Sequence, residues 1–126
     1  MNIPNGLFYT KTHEWVKQEG KEAVAGVTDH AQSELSDVVF IELPKVGRVV
    51  KQEEACAVVE SVKAAFDIYA PVSGKVVRVN AALEKDPALV NKDPYGEGWF
   101  FVVEPSDAGE LSRLMDKTEY EKFLKT

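Results

Sequence analysis

A mainly β chain, folded as a flattened barrel or sandwich with short peripheral helices, is what this sequence predicts. Three observations carry the prediction. Between Val38 and Val79 the chain breaks into short strand-like runs separated by turn signals at close intervals. Ile41-Glu42-Leu43-Pro44-Lys45-Val46-Gly47-Arg48-Val49-Val50-Lys51 and Ile68-Tyr69-Ala70-Pro71-Val72-Ser73-Gly74-Lys75-Val76-Val77-Arg78 both obey the pattern I-x-x-P-x-x-G-[KR]-V-V-[KR]. Two copies are too few for a solenoid, and they point to one small β domain with pseudo-twofold symmetry. Third, the apolar run Ala55 to Val59 and the run Phe66 to Ala70 are joined by Glu60-Ser61-Val62-Lys63-Ala64-Ala65, which reads as a hairpin with Lys63 at its tip.

Taken in order, Leu7-Phe8-Tyr9 is a short edge strand, and Glu14 to Gln18 and Glu22 to Thr28 are strands joined by a turn at Glu19-Gly20-Lys21. Trp15, Val16, Val24 and Val27 give them apolar faces, and Gly26 marks a bulge or a close approach. Asp29 followed by Gln32 has capping-box spacing, so a short helix over Ala31 to Leu35 crosses to the repeated core. His30, in its first turn, is either a site-lining group or a structural histidine bonded at the helix start. The core strands are Val38 to Leu43, Arg48 to Lys51, Ala55 to Val59, Phe66 to Ala70 and Gly74 to Val79. Asn80 to Val90 is irregular, with one helical turn started by Asp86-Pro87. Asn91 to Gly98 is a rigid loop, and Trp99 to Glu104 returns to the sheet. Asp107 with Glu110, and Thr118 with Glu121, predict capping boxes for two short amphipathic helices at the C-terminal end.

The 126 residues are expected to form a single domain, residues 1–126, with 44% hydrophobic residues supplying one modest core. A net charge of −6 and a pI near 5.0 argue against non-specific nucleic-acid binding. No apolar run has the length of a membrane span, and the first residues resemble neither a signal nor a transit peptide. The one cysteine, Cys56, lies in an apolar run and reads as a buried small hydrophobe in a reducing compartment. A cytoplasmic monomer is expected.

Most lysines at hairpin tips are merely solvated. Lys63 differs in its place, between the two copies of the repeat and flanked by Val62 and Ala64, which are too short to shield its amine. A unique tip on a symmetric scaffold is the layout of a carrier domain presenting a lysine for covalent modification.

Glu60-Ser61-Val62-Lys63-Ala64, followed by Tyr69-Ala70-Pro71-Val72-Ser73-Gly74, resembles the lipoylation site of the glycine cleavage system H protein family. The resemblance runs nearly end to end. It takes in His13-Glu14-Trp15-Val16, Gly26-Val27-Thr28-Asp29-His30-Ala31-Gln32, Asp37-Val38-Val39-Phe40, Glu42-Leu43-Pro44, Leu89 to Gly96, and Gly98-Trp99. Each piece is a weak signal, but their order and spacing together are specific. The resemblance implies a lipoyl/biotinyl (barrel-sandwich hybrid) fold and lipoic acid joined to Lys63 by an amide. It implies a non-catalytic carrier subunit that takes an aminomethyl group from glycine decarboxylase (P protein) to an aminomethyltransferase (T protein). Dihydrolipoyl dehydrogenase (L protein) would reoxidise the arm, and a lipoate-attaching enzyme, to which Glu60 is a candidate contact, would install it. Glu14 and Asp67 match acidic positions of the family that line a resting cleft for the loaded, cationic arm; read without the resemblance, they are a solvated strand residue and a turn carboxylate.

The chain departs from the family pattern at Ser36 and Glu53, where glycine is usual, at Phe66, where a small residue is common, and at Val102, often lysine. An exposed Phe66 beside the arm would alter docking or the resting pocket. Competing readings are an H-like relay for another lipoate-dependent pathway and an unmodified β-domain adaptor. A biotin carrier is disfavoured because no methionine flanks Lys63, and an acyltransferase lipoyl domain because Val62 stands where aspartate is customary. No nucleophile–base pair or metal cluster marks an independent enzyme.

Overall fold

The computed structural model describes residues 1–126. Nine strands form two antiparallel sheets. Strands β1 (Phe8–Tyr9), β2 (Glu14–Glu19), β3 (Glu22–Val27), β5 (Val49–Val50), β8 (Gly74–Val79) and β9 (Phe101–Pro105) make a six-stranded sheet in the order β1-β2-β3-β9-β8-β5. The second sheet, ordered β4-β6-β7, contains β4 (Val38–Glu42), β6 (Ala55–Ser61) and β7 (Ala65–Tyr69).

The repeat explains how the two sheets are tied together. In each copy the Ile-x-x-Pro piece ends a strand of the small sheet, and the Gly-[KR]-Val-Val piece enters the large one. The first copy thus runs from β4 to β5 and the second from β7 to β8, and β5 and β8 then pair with Val50 opposite Gly74. Gly47 and Gly74 turn the chain at φ +97° and +154°, and a Cβ on Gly74 would lie 2.1 Å from the Glu104 carbonyl oxygen. The copies part where their surroundings differ. Val49 is 72% exposed on the two-residue edge strand, whereas its counterpart Val76 is buried between β5 and β9.

The inner faces of both sheets share one core, built from Val16, Val27, Ile41, Val59, Ile68, Val76, Phe101 and neighbours. A second cluster joins Tyr9, Trp15 and Tyr120. There Tyr120 of α4 (Lys117–Leu124) stacks on Tyr9 with ring centroids 4.6 Å apart. Gly26 is a close approach and not a bulge, since a Cβ on it would lie 2.7 Å from the Trp15 ring it pairs beside. Cys56 is buried, and burial pushes its thiol up to about 12, which makes it inert.

Several expected caps are displaced. Helix α1 spans Asp29–Leu35 and is capped by Thr28, whose hydroxyl accepts the Ala31 N–H; Asp29 is already helical and accepts a bond from the Gln32 side chain. The stretch expected to be irregular holds two single-turn helices, α2 (Ala82–Lys85) and α3 (Leu89–Lys92); Asp86-Pro87 opens the turn that runs into α3, as expected, its carbonyls accepting the Leu89 and Val90 N–H groups, both at 3.2 Å. The first C-terminal helix is 3₁₀, Ala108–Arg113. Its Glu110 is buried and reaches across to the Ser73 N–H and hydroxyl (2.6 and 2.7 Å), so it makes a tertiary contact and closes no capping box. The second helix is α4, whose capping box is Asp116 with Glu119, two residues earlier than expected.

Ser36 and Glu53, two of the positions where glycine is usual, have φ of +63° and +73°. Both hold the left-handed backbone that glycine adopts without a Cβ penalty. Val102, the third departure, is buried and pairs with Val24 in the large sheet. Glu53 is exposed and its carboxylate has no partner, so Glu53→Gly is expected to stabilise the fold by roughly 0.5–1 kcal/mol, the strain relieved less the added chain entropy. Urea denaturation measures it; a lower midpoint would show that the carboxylate contributes more than the strain costs.

Candidate functional site

The tip of the β6–β7 hairpin is fixed through its backbone. The Ser61 N–H donates to the Ala64 carbonyl (2.9 Å), closing the turn. The Ser61 hydroxyl accepts the N–H groups of Lys63 and Ala64 at 3.1 and 3.3 Å. The Val62 N–H donates to the Asp37 carbonyl at 3.0 Å, tying the tip to the link between α1 and β4. That link is held in turn by Asn91 of α3, whose amide accepts the Val38 N–H (2.9 Å) and donates to the Ser36 carbonyl (2.7 Å).

Lys63 is exposed, as its position predicted. Its Nζ donates to the Glu34 carbonyl oxygen at 3.2 Å, at the last turn of α1, and forms no ion pair with any carboxylate. A single exposed bond to a carbonyl costs little to break. The amine is therefore available for acylation, and the loss of its charge would orphan no carboxylate. The site fits a lysine-linked group rooted on a rigid turn.

Glu14 is no solvated strand residue: it is 2% exposed. Its carboxylate accepts hydroxyl bonds from Thr10 and Thr12, both 2.5 Å, and the Tyr69 N–H at 3.3 Å. It forms one wall of a cavity of about 480 Å³, shared with Gln52, Glu53, Pro71, Arg113 and Met115 among others. Strand β7 connects this cavity to the tip, since Tyr69 is its last residue and Lys63 stands just before its first. Every partner of Glu14 is a neutral donor, so its charge is desolvated without being neutralised. Burial pushes its carboxyl above the ordinary 4.5, against the opposing pull of the Thr10, Thr12 and Tyr69 bonds.

Asp67 lies elsewhere. It is exposed on β7 and lines a separate hollow of about 550 Å³ with Glu42, Arg48 and Val58. The structure does not bring Asp67 and Glu14 into one cleft. Glu60 is exposed on the outer face of the small sheet, opposite Phe40 and Ala65. His30 is half-buried against His13, with ring centroids 4.4 Å apart, and near Glu34 at 3.9 Å. His13 bonds the Tyr120 hydroxyl at 2.8 Å, and burial, with the neighbouring His30, lowers its pKa. This pair is a structural joint between β2, α1 and α4.

Sequence reasoning missed Ser61, Asn91, Thr10 and Thr12. A serine at the first turn position and a threonine pair just ahead of Glu14 were the available signals. Asn91 gives none, because its partners are more than fifty residues away.

The sequence profile of the family described as Glycine cleavage H-protein matches residues 7–126. A glycine cleavage system H protein of Thermus thermophilus is 59% identical over 126 residues, covering 100% of this chain and 98% of that protein. One from Thermotoga maritima is 58% identical over 115 residues, 91% of this chain and 93% of that protein. The crystal structure of a glycine cleavage system H protein from Mycobacterium marinum superposes with a TM-score of 0.90 at 39% identity, covering 98% of this chain and 100% of that one. The fold is thus the expected barrel-sandwich type.

Because the folded protein holds the Glu14 proton more tightly than the unfolded chain, folding takes up a proton between the ordinary carboxylate pKa and the raised one. The stabilising share of this group is full below the ordinary value and is lost as pH rises through the raised one. Carboxyl ¹³C titration is expected to place Glu14 above the exposed glutamates, and Glu14→Gln to remove this part of the pH slope of stability. Titration at or below the exposed glutamates would contradict the assignment.

Proposed function

The chain belongs to the glycine cleavage H-protein family, and from that premise we propose that it is a lipoylated carrier, itself non-catalytic, that moves the aminomethyl group of glycine between the enzymes of glycine cleavage. The observation that carries the proposal is the exposed Lys63 amine on a tip pinned through Ser61 and Val62 and free of any carboxylate partner.

Lipoate on Lys63 supplies a dithiolane that accepts the aminomethyl cargo and cycles between disulfide and dithiol. The protein's own residues do the rest. The turn Ser61 to Ala64 fixes the root of the arm, while the exposed amine position leaves its far end free to enter other active sites. Glu14 is the resting contact: a buried carboxylate surrounded by neutral donors attracts the cationic amine of the cargo more strongly than an exposed one does. Asp67, in the separate hollow with Glu42 and Arg48, is a second acidic contact that the arm would meet outside the Glu14 cavity. Glycine decarboxylase, the aminomethyltransferase and dihydrolipoyl dehydrogenase are the partners that exchange with the arm, and a lipoate-attaching enzyme installs it. The core shared by both sheets supports one carrier domain over residues 1–126, and we propose that it acts as a monomer in the cytoplasm.

Purified from lipoate-replete cells, the protein is expected to show the mass of one lipoyl group on the peptide holding Lys63, and to support bicarbonate exchange into glycine with the decarboxylase. Lys63→Arg should abolish both. Glu14→Gln should keep the lipoyl group but lose the loaded cargo to water about 10-fold faster, the worth of one charge-assisted bond. An unshifted mass supports the adaptor reading; a fully lipoylated protein without exchange supports a relay for another pathway.

A further inference from the structure

Seven large hydrophobic residues are substantially exposed, and four of them, Val39 (55%), Phe40 (49%), Val62 (66%) and Phe66 (40%), surround the Lys63 hairpin. Their clustering follows from strand pairing. Phe40 stands opposite Glu60, and Val38, beside Val39, stands opposite Ser61. The Val62 N–H bonds the Asp37 carbonyl, which sets Val62 against the start of β4. Phe66 pairs with the buried Val59, on the opposite face of the small sheet from Phe40 and Glu60, and so stands apart from the other three. A grouped set of exposed apolar side chains marks an interaction surface, where scattered ones do not.

The charges around it are one-sided. Residues 34–40 and 60–65, which build the tip side of this face, contain the acids Glu34, Asp37 and Glu60 and a single base, Lys63; Glu42 and Asp67 lie beyond them, in the hollow lined by Lys45 and Arg48. All three tip-side acids are exposed. An apolar centre with an acidic rim complements an apolar patch ringed by lysine and arginine.

Position selects among the enzymes that meet the arm. An enzyme working at the distal end of a long tether has no need to touch its root. An enzyme that acylates the lysine nitrogen must bring its active site onto Nζ and so must enclose Val62, Ala64 and the adjoining start of β4. We propose that Val39 and Phe40, with Val62, form the docking surface for the lipoate-attaching enzyme, engaged through an apolar patch with a basic rim. This rests on the reading of Lys63 as the lipoylation site. In the reaction served, the Lys63 amine, having given up a proton, attacks the carboxyl carbon of lipoate activated by ATP as an acyl adenylate. The amide C–N bond forms, the C–O bond to AMP breaks, and AMP leaves with the remaining proton accounted to solvent. Modification removes the one cation of the face, so the product is more acidic than the substrate.

The test is the rate of lipoyl addition to unmodified protein by a purified ATP-dependent lipoate–protein ligase, followed by intact mass. Phe40→Ser and Val39→Ser are each expected to lower kcat/KM about 5–30-fold, the range of interface anchors, chiefly through KM. Val49→Ser, equally apolar and exposed on β5, should stay within twofold of wild type, and added salt should raise the wild-type KM. Thermal melts confirm that each variant is folded. Phe40→Ser and Val39→Ser both remaining within twofold of wild type would overturn the docking surface while leaving Lys63 as the acceptor. A wild-type dimer that dissociates on Phe40→Ser would overturn it too, because the patch would then be filled by a second copy. No addition to wild type at all would overturn the lipoylation reading together with it.

Discussion

The turn from Ser61 to Ala64 is held by groups other than the lysine it presents, and the usefulness of the hairpin depends on that separation. Ser61 supplies a hydroxyl that accepts two successive N–H groups, and Asp37 supplies a carbonyl for the third. A lysine that anchored its own turn by an ion pair would lose the anchor on acylation. Here the amine meets only the Glu34 carbonyl, so acylation leaves the backbone network intact. The support extends inward. Asn91 ties the α1–β4 link to α3, and Ser36 reverses the chain there at φ +63°. Rigidity at the root and freedom at the side chain have separate physical sources, and neither weakens the other.

Glu14 follows a related logic with the opposite burial. A buried carboxylate is stable when it is paired with a cation, but a permanent cation would neutralise the charge that the proposed cationic cargo would need. Two threonine hydroxyls and a backbone N–H hold the oxygens without cancelling their charge. Burial raises the pKa and these bonds only partly offset it. Exposed Asp67 carries no such desolvation and, screened by water, exerts a weaker pull. The difference between the two acids is one of environment, which is why a shared residue type did not put them in a shared cleft.

What the sequence disclosed was mostly what is local or repeated. The hairpin was legible from two apolar runs around a polar link, and the Pro-x-x-Gly copies announced a pseudo-twofold β domain, though not that each copy crosses from one sheet to the other. The burial of Cys56 followed from its neighbours. Caps were less legible because several residues competed for each role. Thr28 outcompeted Asp29, and Asp116 outcompeted Thr118, each by having extended backbone where a cap needs it. Glu110 looked like a capping partner and was taken by Ser73, thirty-seven residues away. The burial of Glu14 was hidden for the same reason: nothing adjacent to a glutamate in a strand tells which sheet face will be covered.

The departures from the family pattern fall unevenly, and their distribution separates scaffold from site. Ser36 and Glu53 carry side chains at backbone angles suited to glycine, in the α1–β4 and β5–β6 links. Val102 lies buried in the large sheet. Positions 60–65 show no departure and no left-handed residue. If Lys63 is lipoylated as proposed, a shift at the tip would move its nitrogen relative to every enzyme acting on the arm, and no compensating change elsewhere in one chain would correct a mismatch with several partners. Phe66 is the exception that lies next to the site. It is partly exposed on the edge strand β7, paired with Val59 on the face opposite Phe40, and takes no part in the bonds that hold the Lys63 turn in place.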